Sequence, residues 1–144
     1  MDRKYLPTLA ELIDRLSITQ LKEIFIPEHK EEYAKEIKDI MNDIDIILQE
    51  QTGHAEIGST NMTAKVIRAL IVLAQSNLHI WHNESEARKG NKEGNRLELT
   101  HAINGIRNTA KNRIQEVVGG RKDYKTDCLA AEFCNYEPSW NDDI

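Results

Sequence analysis

The sequence predicts an all-α fold: an antiparallel four-helix bundle with a short fifth helix near the C-terminus. Two observations lead there. Apolar residues recur three and four positions apart through four long segments, and no segment sustains an alternation of period two. Isoleucine and leucine number 17 and 12 against four valines, and every glycine but Gly105 falls between the periodic segments. Four main helices with short connections fold most simply as antiparallel neighbours.

The elements follow in order. Thr8 and Glu11 form a capping box, each side chain satisfying a free N–H at the other's position, so a first helix runs from Leu9 to Phe25. Pro27 ends it by biasing Ile26 away from helical backbone, and suits the first turn of the next helix. Glu28, Glu31 and Glu32 complement that second helix's N-terminal dipole. It carries Tyr33, Ile37, Ile40, Met41, Ile44, Ile47 and Leu48 on one stripe, with Lys35, Asp39, Asn42 and Asp43 opposite. Residues 51–60 read as a loop, with Ser59 or Thr60 as the next cap. A third helix spans Met62 to Lys89, and Gly90 to Gly94 is a polar turn. A fourth runs from Arg96 to Val118, closed by Gly119 and Gly120. A fifth covers Asp127 to Cys134, before a polar tail containing Trp140.

At 144 residues with no linker or repeat, residues 1–144 make one domain. Charged residues are 30% of the chain and the formal net charge is −5. An acidic chain without a Lys/Arg cluster argues against nucleic acid as a partner. The first residues lack an apolar run of signal-peptide type, and the longest apolar stretch, Ala69 to Ala74, is too short for a membrane span. Cys128 and Cys134 lie on different faces of a helix, so reduced thiols in a cytoplasmic setting are expected.

Placing residues at 100° intervals exposes polar groups where a core should be. On the third helix Met62, Val66, Ala69, Leu70, Leu73 and Ile80 form the core stripe. Asn77, Glu84 and Arg88 fall inside that stripe, with Trp81 at its border. On the fourth helix Leu99, Ile103, Ile106, Ala110, Ile114 and Val117 form the line, flanked by Thr100, Asn104, Arg107 and Lys111. On the first helix Ser17 and Gln20 fall within the band of Leu9, Ile13, Leu16 and Ile24, and Asp14 lies just outside it. Buried charges cost several kcal/mol unless paired, so these residues demand partners.

Two readings answer that demand. One is an internal ion-pair and hydrogen-bond network. The other is a pocket for a small anionic, nucleotide-like ligand. Arg88, Arg107 and Lys111 would hold its phosphate or carboxylate, Trp81 would stack on a flat ring, and Asn77 and Asn104 would read its edges. In that pocket Asp14 and Ser17 line the first helix, and Glu84 orients an arginine or accepts from a hydroxyl. No cofactor is expected for it. A third reading, metal-dependent hydrolysis of a nucleotide pyrophosphate or phosphodiester by Glu84 and Asp14, would need Mg²⁺.

Weaker constellations read as solvated faces. His79, His82 and Glu86 share a helical face with metal-like spacing, but that face points away from the core and no metal site is expected. Glu98 and His101 give one Glu-x-x-His where a di-iron bundle needs two. Glu28-x-x-Glu31 and Glu36-x-x-Asp39 mimic the Mg²⁺ motifs of all-helical nucleoside-triphosphate pyrophosphatases, yet both lie on one helix. Ile67, Ile71 and Leu78 draw a second apolar line on the third helix. Either that helix is central, or the line is a homo-oligomer interface.

The pattern resembles a poorly characterised group of small helical proteins from bacteria and their phages. The resemblance rests on Asp14-Arg15-Leu16-Ser17-Ile18, Asn77-x-x-x-Trp81-His82-x-Glu84-x-x-Ala87-Arg88 and Asn104-x-x-Arg107-Asn108. It implies a helical fold and a role for those polar positions. A phage origin would add one use for a nucleotide pocket, the sequestration of a host nucleotide signal.

Overall fold

The structure, a computed structural model, describes residues 6–52, 62–90, 96–116 and 138–140. These residues are all-α, with four helices: α1 (Leu9–Phe25), α2 (Lys30–Thr52), α3 (Ala64–Arg88) and α4 (Arg96–Gln115). No helix among them is long and apolar enough to cross a membrane.

Local chemistry sets the helix ends. The Thr8 hydroxyl accepts from Glu11 N–H at 3.2 Å, and the Glu11 carboxylate accepts from Thr8 N–H at 3.0 Å. That reciprocal pair satisfies two donors that the first turn leaves free. Ile26 closes α1, its N–H donating to the Lys22 carbonyl at 2.9 Å, and residues 27–29 form a single 3₁₀ turn with Pro27 at its start. Lys22 lies over the Tyr33 ring at 6.0 Å, joining the two arms of this first hairpin.

Four boundaries differ from expectation, the smallest being the end of α3 at Arg88 rather than Lys89. Helix α2 continues through Thr52, into residues expected as loop. Helix α3 begins at Ala64 rather than Met62, because the Thr63 hydroxyl accepts from Val66 N–H at 3.3 Å and takes the capping role given to Ser59 or Thr60. Helix α4 ends at Gln115 rather than Val118. Beyond α3, Gly90 adopts a φ of 85°, the left-handed conformation that ends a helix at little cost only for glycine. Ser59, Thr60, the Gly119-Gly120 stop and the fifth helix over Asp127 to Cys134 lie outside the described residues.

The core sits where α1, α3 and α4 meet. Ala10, Ala69 and Ala110 bring the three helices close together, and Leu73 and Ile114 fill the space around them. Matching contacts show direction. Asp14 bonds Asn77 while Phe25 stacks on Trp81, so α1 runs with α3. Ala10 bonds Gln115 while Asp14 bonds Arg107, so α1 runs against α4. Among the described residues, helix α2 packs on α1 and the 3₁₀ turn, and its backbone does not come close to α3 or α4. Its expected stripe is accordingly shallow: Ile40 is buried, Tyr33, Ile37, Ile44, Ile47 and Leu48 are half-buried, and Met41 is exposed.

Trp140 belongs to this core rather than to a polar tail. Its ring packs against the central cluster and carries two guanidinium groups over it, Arg113 at 4.6 Å and Arg68 at 5.9 Å. Arg68 also donates to the backbone carbonyl of Ser139, and at 3.4 Å to its hydroxyl. Residues 138–140 are thereby tied onto α3 and α4.

Candidate functional site

Three of the helices contribute one polar residue each to a single cluster, and α4 adds a second. Asp14 of α1 is its centre, with 10% of its side chain exposed. Asn77 Nδ2, from α3, donates to Asp14 Oδ1 at 2.9 Å. Arg107 Nη2, from α4, donates to Asp14 Oδ2 at 3.2 Å, and Arg107 Nη1 donates to Asn104 Oδ1 at 3.2 Å. Asn104 and Arg107 stand three apart on α4 and so share a face. The carboxylate has one neutral and one charged donor, which offsets its removal from water.

The cluster directly neighbours the apolar core. One turn before Asp14, Ala10 N–H donates to Gln115 Oε1 at 3.1 Å. This satisfies one of the amide donors that the start of α1 cannot pair within itself. Gln115 is 5% exposed and Asn77 3%, so both side chains are structural parts of the interior. Arg107 keeps 24% of its side chain exposed, while its Nε is buried and has no hydrogen-bond partner among the described residues.

Of the nine residues expected to line a pocket, four come together: Asp14, Asn77, Asn104 and Arg107. Asp14, placed just outside the apolar band by its helical phase, is buried. Ser17 and Lys111 are half-buried and bond to none of the four. Trp81 is half-buried with one face against Phe25, ring centroids 6.1 Å apart and 27° between planes, so its stacking partner comes from α1. The same Phe25 ring meets His82 edge-on at 5.9 Å.

Glu84 and Arg88 correct the helical projection most clearly. Both were expected inside the α3 stripe, and both are exposed, with 57% and 79% of their side chains accessible and a 4.0 Å pair between them. Ile80 is the last buried residue among the described side chains of α3. The phase of a helix says which way a side chain points, not where its neighbours end. Glu84 on the surface and Asp14 in the interior do not form a joint carboxylate site. His79, His82 and Glu86 do not converge either: among the described residues no group of three His, Cys, Asp or Glu could hold a metal ion.

Sequence reasoning missed two interior polar contacts. Gln115 lies 100° around α4 from the buried Ile114, and nothing in the pattern marks it. Trp140 did carry a signal, since a large aromatic ring in a polar segment is seldom left in water. Compared with protein-family models, curated proteins and solved structures, the chain matches none.

Proposed function

We propose that the chain is a structural or interaction protein whose polar cluster is an internal lock, not a ligand pocket. One observation carries this reading. Both oxygens of Asp14 are taken, by Asn77 and Arg107, and the Arg107 charge that would receive an anion is already opposed by a carboxylate 3.2 Å away. Such a lock selects one register of α1 against α3 and α4, because sliding any helix by a turn would strand a charge in the interior. Function then lies on the outer surface, in a protein that the reading keeps cytoplasmic. An up-down order of the four helices, with α2 as the outermost, fits the same reading.

A second reading is favoured by Arg107 itself. Its side chain keeps 24% of its surface exposed beside Asp14, so an anion could meet the open part of that side chain from solvent without displacing the carboxylate. This is the small anionic, nucleotide-like ligand of the sequence-based expectation, and the resemblance to bacterial and phage proteins would make sequestration its use.

Thermal unfolding against a panel of nucleotides, cyclic nucleotides and sugar nucleotides, with and without Mg²⁺, separates the two. Under the lock reading no compound raises Tm, and Arg107→Ala lowers it by the equivalent of about 3–5 kcal/mol, the usual cost of leaving half a buried pair. A ligand at 100 times its Kd adds about 2.7 kcal/mol of stability. Such a shift, lost in a folded Arg107→Ala variant, would replace the lock by the pocket. A shift with Mg²⁺-dependent product formation would establish the hydrolase.

A further inference from the structure

Near the start of α3 and the end of α4, three residues from far along the chain lie on the helices. Trp140 sits half-buried against the central cluster, whose members all come from α1, α3 and α4. The helices therefore build that cluster without it, and Trp140 lies on the core rather than inside it. What holds it is a small set of contacts. Two guanidinium groups, Arg68 of α3 and Arg113 of α4, stand over its ring. Arg68 also donates to the carbonyl and the hydroxyl of the preceding Ser139, which is exposed. The indole Nε1 is buried and has no hydrogen-bond partner among the described residues, where a buried indole N–H usually finds one.

We propose that the α3–α4 surface beneath Trp140 is a docking site for an acidic, tryptophan-bearing peptide of another protein, and that residues 138–140 occupy it in cis. The inference rests on reading the chain as an interaction protein, and gives that reading its binding surface. Each contact is one that a separate peptide can make. The ring needs an apolar floor and two cations, and the Arg68 fork needs a carbonyl and a hydroxyl one residue earlier. None of these contacts depends on how the segment is joined to α4.

Charge gives the partner its character. In sequence the segment is flanked by Glu137 and by Asp142 and Asp143, while the helices beneath it offer two guanidinium groups. Arginines that hold an aromatic ring in this way also favour acidic flanks, as in other sites that read acidic motifs. Nε1 argues for exchange. A buried donor without an acceptor weakens the cis complex, so a segment that brings an acceptor to that point competes well. Tethering sets the threshold. A linked segment acts at an effective concentration on the order of millimolar, so a free peptide of about 0.1 mM affinity is held back about tenfold. The site is thereby closed to weak ligands and open to a better one.

The test uses the full chain and a fluorescein-labelled peptide of residues 136–144, followed by fluorescence anisotropy. Trp140→Ala, which empties the site of its indole, should bind the peptide saturably, and wild type should bind it about tenfold more weakly. The peptide with alanine in place of its tryptophan should not bind, and adding Arg113→Ala to the Trp140→Ala chain should remove most of the affinity. If circular dichroism shows that Trp140→Ala does not fold, Trp140→Leu takes its place, keeping the apolar contact without the cation–π one. No saturable binding to a folded variant overturns the proposal. So does equal binding to wild type, or binding indifferent to Arg113 or to the peptide's tryptophan. Loss of the fold in both variants would overturn it too, since Trp140 would then be a fixed part of the core. Saturable binding in a protein that also shows a nucleotide-induced Tm shift would support the docking site and remove only the lock reading.

Discussion

Asp14 and Gln115 illustrate what a single buried polar side chain does in this molecule. Each satisfies groups on another helix, and each does so across a long stretch of sequence. Replacing Gln115 by Leu keeps the volume but leaves Ala10 N–H buried without its acceptor. We expect a loss of about 1–3 kcal/mol, read as a lower midpoint in urea unfolding with unchanged slope. A midpoint within error of wild type would mean that water reaches Ala10 in place of the side chain. The sequence made only part of this visible. Asn77, Asn104 and Arg107 stood out because polar residues on or beside an apolar stripe are conspicuous. Gln115 did not, because its role depends on which amide lies opposite, and that is a property of packing rather than of periodicity.

Among elements, ends were more legible than neighbours. The Thr8 and Glu11 capping box placed the start of α1, and Pro27 its end, because both act within a few residues. Local rules also explain Gly90, which ends the α3 segment with a φ of 85° and, among the described residues other than its chain neighbours, has no atom within 4 Å of where a Cβ would stand. Gly90→Ala should therefore cost about 1 kcal/mol from backbone strain alone, with no steric contribution. Thermal melts of the pair would show it, and an equal Tm would mean the turn relaxes to another conformation. Glu84 and Arg88 show the opposite limit. Helical phase put them in line with Val66 and Leu73, but cover over α3 runs out after Ile80. Helix α1 stops at Phe25, whose ring meets Trp81 and His82, and no one-dimensional pattern records where that end falls along α3.

At the scale of the whole molecule, the all-α class was readable from the 3.6-residue periodicity. What periodicity left open was which helices share a core. The three alanines Ala10, Ala69 and Ala110 resolve it, since small side chains let α1, α3 and α4 approach closely, while α2, with its bulky isoleucines, comes close among the described helices to α1 and the 3₁₀ turn. Such one-sided attachment has a dynamic consequence. Helix α2 can lift from α1 while the Asp14 lock and the Ala10–Gln115 bond stay closed, so its amides open by a cheaper, local route than those of α3 and α4. Native-state hydrogen exchange should find residues 30–50 exchanging well ahead of residues 66–80, at a free energy below that of global unfolding. Exchange of both segments at one common rate would mean that α2 and the three-helix core unfold as a single cooperative unit.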